Sequence, residues 1–170
     1  MKIFLINGQA GTGKSSVANE LKNQIVDSAF IDADSLISVN PFNFGKQEQD
    51  DLMLENALSL ISNFSKAGYS TIVTSGLTRN QEQLDSFAKL LSAQCPSVEM
   101  TFVWLRADKE TRMKRKAGRN RDGADNMTHF ESIDKLYPDV QGLKLEKGVS
   151  MEFDTSRLSI QDMVWEILKS

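Results

Sequence analysis

The apolar run KIFLI at residues 2–6 gives way, one residue on, to Gly8-Gln9-Ala10-Gly11-Thr12-Gly13-Lys14-Ser15. No other stretch limits the fold so sharply. A short, uninterrupted apolar run suits a strand buried on both faces of a parallel sheet. Gly8, Gly11 and Gly13 then allow backbone conformations closed to other residues, so the chain turns tightly at the strand's end. Successive N–H groups can point inward and form an anion nest. A helix beginning near Gly13 adds its dipole and its free N–H groups. The pattern is G-x-x-x-x-G-K-[ST], in which the lysine reaches the β- and γ-phosphates of a nucleotide and the hydroxyl ligates Mg²⁺. Lys14 and Ser15 take those roles here, and Thr12 and Ser16 fall in the same cradle.

The rest of the chain alternates strand-like and helix-like periods. Residues 14–26 place Val17, Leu21 and Ile25 on one helix face, and residues 28–32 read as a second strand. Residues 47–67 form a long helix with the stripe Leu54, Leu58, Ile61 and Phe64, ended by Gly68 at a C-cap position. Strands are expected at 70–74, 98–105 and 150–154, and helices at 80–94, 108–118 and 159–169. Asp108 is a candidate N-cap, and Ser159 with Asp162 has capping-box spacing. Trp104 and Trp165 are read as strand and helix core positions. Alternating strands and helices predict an α/β, three-layer α/β/α sandwich around a five-stranded parallel sheet. Its ligands would bind at the carboxyl ends of the strands, just after residues 6, 32, 74, 105 and 154.

Composition narrows the function. The 170 residues are expected to form a single domain, 1–170, with 40% hydrophobic and 25% charged side chains. One cysteine, Cys95, excludes an internal disulfide and fits a reducing, cytoplasmic compartment. The lone His129 argues against a histidine metal site, and no apolar run approaches a membrane span. The net charge is −3, but residues 106–121 hold eight basic and two acidic side chains, against twelve basic and twenty-one acidic elsewhere. Such a chain meets an anion at one place and is not expected to bind nucleic acid.

Two nucleotide-binding classes fit poorly. No N-K-x-D motif of guanine-specific GTPases is present, and Arg106-Ala107-Asp108-Lys109 follows the fourth strand. The third strand ends Thr74-Ser75-Gly76, without the carboxylate of motor-type ATPases. The chain instead resembles the nucleoside-monophosphate-kinase-like branch of P-loop kinases over nearly its whole length. Ser75-Gly76-Leu77-Thr78-Arg79 is similar to the D-G-F-P-R segment of adenylate kinases, with serine in place of aspartate. Phe30-Ile31-Asp32-Ala33-Asp34 is similar to the D-x-D of shikimate kinases, and Asp34-Ser35-Leu36-Ile37 to the D-S-L-I of chloramphenicol phosphotransferases. The glycine-rich segment that shikimate kinases carry after strand 3 is missing.

This resemblance implies an ATP- and Mg²⁺-dependent kinase acting on a small-molecule hydroxyl, with GTP left open as donor. Asp34 would be the base, with Asp32 as a partner or a metal ligand beside Ser15. Asp32 and Asp34 also have ordinary readings, as strand-end and helix caps. A carboxylate suits an alcohol acceptor, which gives up a proton as the P–O bond forms; an ionised phosphate acceptor needs cations instead. Phe42, Phe44, Ser75 and Arg79 are expected to line the acceptor site. A lid over residues 112–126 would bring Arg115 and Arg119 onto the phosphates, and these share one helix face with Arg112 by spacing. The resemblance also sets Thr155, in the loop Phe153 to Ser159, beside the nucleotide base. A nucleoside monophosphate kinase is the main alternative, because Arg79 could anchor an anion; a nucleotide-binding regulatory module is the other. The acceptor's identity and the oligomeric state stay open. His129, Tyr137 and Pro138 follow the lid, with no place assigned.

Overall fold

The computed structural model describes residues 1–43, 45–118, 126–136 and 142–170. Its elements run β1 (Lys2–Gly8), α1 (Lys14–Asn23), β2 (Ser28–Asp32), a 3₁₀ turn (Ala33–Ser35), α2 (Gln47–Lys66), β3 (Thr71–Ser75) and α3 (Gln81–Gln94). There follow β4 (Glu99–Arg106), α4 (Lys109–Ala117), α5 (Asn126–Leu136), β5 (Val149–Asp154) and α6 (Ile160–Leu168). All strand pairings are parallel, as the alternating pattern predicts, and the order is β2-β3-β1-β4-β5, the order 2-3-1-4-5 that the resemblance to P-loop kinases implies.

The central strand β1 feeds both layers. Ile3 and Leu5 join Ile72, Phe102, Leu54, Ile61, Leu84 and Phe87 on the α2/α3 side. Phe4 and Ile6 join Val17, Leu21, Val103, Val164 and Ile167 on the α1/α6 side. Strict alternation along a fully buried strand therefore sends each side chain into one of two packed layers. Truncating Phe87, fully buried in the first layer, would cost about 3–5 kcal/mol.

Local chemistry ends the helices where expected. The α2 terminus is a Schellman motif: Gly68 has φ +96°, its N–H donates to Ser65, and the Tyr69 N–H donates to Phe64. The Phe64 and Tyr69 rings meet edge-on at 5.5 Å, the apolar contact that accompanies such a cap. Asn80, Asp108 and Ser159 cap α3, α4 and α6, each accepting a backbone N–H three residues on. Two features differ from expectation. Helix α5 has no counterpart in the sequence reading. Trp165 is not a core residue but is 64% exposed, because it lies one step beyond Val164 and so about 100° round α6, off the Met163/Val164/Ile167 stripe. Among the described residues, no helix is long and apolar enough to cross a membrane.

Candidate active site

The glycine loop between β1 and α1 takes the conformation its sequence requires. Gly8, Gly11 and Gly13 all have positive φ, and Gly13 sits in the left-handed region at the N-cap of α1. The Gln9 carbonyl organises the loop: it accepts from the Thr12 N–H at 3.4 Å, the Thr12 hydroxyl at 2.8 Å and the Lys14 ammonium at 3.1 Å. At Gly11 the loop has no room for a side chain. A Cβ on Gly11 would lie 2.6 Å from the Arg112 carbonyl oxygen of α4.

Behind the loop, Ser15 Oγ lies 3.3 Å from Ser75 Oγ at the end of β3. Ser75 is paired in register with Asp32 on the neighbouring strand. These are hard oxygen donors, and Mg²⁺ bound with a nucleotide takes only one or two protein ligands. Ser15 could therefore hold it, with Ser75 and Asp32 behind.

Asp32 rather than Asp34 is the cap of the 3₁₀ turn; its carboxylate accepts the Asp34 N–H at 3.3 Å. Asp34 is exposed on that turn. The turn adjoins the phosphate loop: a Cβ on Gly76 would lie 3.4 Å from Lys14 Cε and 3.7 Å from Ala33 Cβ. The lysine stem thus runs past the β3–α3 loop and the residue between the two aspartates.

The residues expected to wall the acceptor are only partly gathered. Arg79 donates to Asp50 Oδ1 at 2.7 Å, and Gln83 joins the pair by donating to Asp50 Oδ2 at 3.2 Å. Phe42 is 46% exposed, on a segment that Gln49 pins by accepting from the Asn43 N–H and donating to the Pro41 carbonyl. Phe44, Arg119, Arg121, Tyr137 and Pro138 lie outside the described residues, as does the side chain of His129.

The expected arginine face divides. Arg115 reaches the loop after β5, donating to the Thr155 hydroxyl and the Thr155 carbonyl, both at 2.7 Å. Two residues assigned to the nucleotide are thus bonded to each other. Arg112 is 4% exposed and turns inward. It donates to Asp134 on α5 at 2.6 Å and to the Ala10 carbonyl at 3.4 Å, with its guanidinium 5.4 Å from the Phe130 ring. Asp134 also accepts from Gln9 Nε2 at 3.5 Å. A buried ion pair therefore ties the tip of the phosphate loop to α5. Sequence reasoning missed Gln9, Asp50, Gln83 and Asp134, whose partners lie far along the chain.

Two carboxylates on the rim titrate low. The Thr111 hydroxyl, with the Thr111 N–H, holds the Asp108 carboxyl down to about 2. Asp154 is also lowered, chiefly by the Ser156 N–H. Ser156 donates from its hydroxyl to Asp108 at 3.2 Å, which links the starts of the two loops. Among the described residues, no group of three or more His, Cys, Asp or Glu side chains gathers as a metal site.

A parallel sheet of this order with such a loop after β1 defines a P-loop nucleotide-binding domain. The chain belongs to the AAA domain family (AAA_18), whose model matches residues 4–134. A protein named probable gluconokinase from Saccharomyces cerevisiae is 28% identical over 151 residues, covering 85% of this chain and 75% of that protein. The fold is shared with an unliganded sugar kinase from Janibacter, at TM-score 0.69 and 18% identity, covering 99% of this chain and 92% of that one. It is shared equally with the APS kinase of Mycobacterium tuberculosis, at TM-score 0.70, 17% identity and coverage of 99% and 95%. The tunicamycin resistance protein of Deinococcus radiodurans aligns at TM-score 0.64 and 16% identity, over 99% and 94% of the two chains.

Proposed function

We propose that this chain moves the γ-phosphate of ATP to a hydroxyl of a small polyhydroxylated molecule, sugar acids and sugars first. The observation that carries the reading is the Asp32–Asp34 turn packed beside the Lys14 stem through Ala33 and Gly76. A carboxylate near the lysine that meets the γ-phosphate has a clear use with an alcohol acceptor and none with an ionised phosphate. The names of the yeast relative and of the Janibacter structure point the same way.

In this mechanism the loop N–H groups and Lys14 hold the β- and γ-phosphates, with Thr12 and Ser16 in the cradle. Ser15, with Asp32 behind it, would hold Mg²⁺, which supplies charge neutralisation on the phosphate oxygens. Asp34 accepts the acceptor's hydroxyl proton as that oxygen bonds to the γ-phosphorus. The bond to the β–γ bridging oxygen breaks, and ADP leaves. Arg115 and Arg119, the arginines of the proposed lid over 112–126, would meet the charge on the transferring group, Arg115 by exchanging its Thr155 partners for phosphate oxygens. Ser75, Arg79, Phe42 and Phe44 form the acceptor's surroundings, and Thr155 borders the base.

The test is acceptor-dependent ADP release from Mg·ATP. Acceleration by D-gluconate, sugars or polyols is the expected result. Acceleration by nucleoside monophosphates alone would replace the reading with a nucleotide kinase. Tight ATP binding without release under any acceptor would replace it with a regulatory module.

A further inference from the structure

Arg79 is held in a closed unit of three residues. Its guanidinium donates to Asp50 Oδ1 at 2.7 Å, and its backbone N–H donates to Gln83 Oε1 at 3.0 Å. Gln83 completes the ring by donating to Asp50 Oδ2 at 3.2 Å. Both oxygens of the Asp50 carboxylate therefore have a donor, and a single setting of the Gln83 amide serves both of its bonds. Gln83 is itself fixed at the start of α3, where its N–H donates to the Asn80 cap. Asp50 sits in the first turn of α2, where the positive end of the helix favours a carboxylate. The pair is mostly enclosed yet reachable, with 20% of the Arg79 side chain and 13% of the Asp50 side chain exposed.

The unit stands close to the reacting end of the site. Gly76, whose added Cβ would lie 3.4 Å from Lys14 Cε and 3.7 Å from Ala33 Cβ, is three residues before Arg79. Three Cα–Cα steps span at most about 11 Å, so Arg79 belongs to the same end of the sheet as the Asp32–Asp34 turn. Of the charged residues placed on the acceptor side, Asp32, Asp34 and Asp50 are carboxylates and Arg79 is the cation. An anion brought to Arg79 has to displace Asp50. That would leave a largely enclosed carboxylate unpaired and beside a second negative charge, and both effects are unfavourable. An uncharged hydroxyl meets neither.

We infer that Asp50 is a specificity-determining residue: by holding Arg79 in this unit it turns phosphate esters away, so the acceptor presents uncharged hydroxyls to the wall after β3. This rests on the kinase reading and deepens it. The substrate class is a phosphate-free hydroxyl compound, with any acidic end directed away from Arg79. Without the Asp50 charge the same arginine becomes an anion receptor, because a guanidinium binds phosphate and carboxylate through paired N–H donors.

The experiment measures ADP release at saturating Mg·ATP with neutral sugars, polyols and D-gluconate, with phosphate esters of the same carbon chains, and with nucleoside monophosphates. The wild type should use a phosphate-free compound and be inhibited weakly by the matching ester. Asp50→Asn keeps the size of the side chain and removes its charge. It should lower the inhibition constant of the ester about tenfold and change the KM for ATP less than about twofold. Adding Arg79→Met should abolish that gain, and Asp50→Glu should restore weak inhibition. If Asp50→Asn lowers only the melting temperature and the ester still inhibits as weakly as with wild type, the unit is a structural clasp, and the inference fails while the kinase reading stands. A wild type that uses a sugar phosphate better than its parent sugar overturns the inference without any variant. A wild type active with nucleoside monophosphates alone, or inert with every acceptor, overturns the kinase reading and the inference with it.

Discussion

The two halves of the site are built in opposite ways. The donor side is eight consecutive residues, Gly8 to Ser15, whose working parts are mostly backbone N–H groups held by positive φ. The proposed acceptor side draws on the 3₁₀ turn after β2, the start of α2 and the loop after β3, and on side chains whose partners lie far along the chain. Arg79 meets Asp50 across 29 positions. A cradle for a charge common to all nucleotides can be local and rigid. A pocket that distinguishes one small molecule from another has to be gathered from several elements.

That contrast can be broken by experiment. Asp34→Asn should lower turnover by about 10²–10⁴-fold and leave the ATP affinity nearly unchanged. Equal loss of both, read by single-turnover kinetics and calorimetry, would move Asp34 to the donor side. Lys14→Ala should cost about 10²–10³-fold in turnover and also weaken ATP binding, because its ammonium serves ground and transition states alike. Loss of turnover with ATP binding intact would make it a purely transition-state group.

Arg112→Met tests the strut between the phosphate loop and α5. It leaves Asp134, only 14% exposed, with the exposed Lys109 at 3.6 Å as its remaining cationic partner, and should cost about 2 kcal/mol in urea unfolding. Adding Asp134→Leu should recover most of that loss; a single variant as stable as wild type would show that the ion pair holds nothing. The smallest effect concerns the rim. Asp108 titrates at about 2 when folded, below its ordinary 3.8. Its charge therefore contributes stability that is fully present above about pH 4 and lost as the pH falls toward 2. Asp108→Asn should be slightly less stable than wild type at neutral pH and indistinguishable near pH 2, read from melting temperatures; a deficit constant with pH would assign the effect to the cap's shape rather than its charge.

Much of this was legible in the sequence, for physical reasons. The central strands β1, β3 and β4 are short apolar runs bounded by glycines, caps and polar turns, the signature of buried parallel strands, while the edge strand β5, with none of its residues buried, leaves a weaker one. The phosphate loop is legible because its chemistry is contiguous. Helix α5 is harder to read: Met127, Phe130, Ile133 and Leu136 recur every third residue, short of the 3.6-residue helical period, and only Phe130 among its described side chains is buried. The Arg112–Asp134 pair was illegible for a different reason: 22 positions separate the partners, and nothing local marks either one. Trp165 is the instructive miss. Its neighbours at 160, 163, 164 and 167 already defined the buried stripe, and that spacing alone places residue 165 outside it.

The crowding at Gly11 bears on how such a chain can be retooled. A side chain there would strike the backbone of α4, not a flexible side chain that could step aside. A mutant library aimed at the loop would return mostly dead clones. One aimed at Phe42, Arg79 and their neighbours would sample changed appetites on an untouched engine.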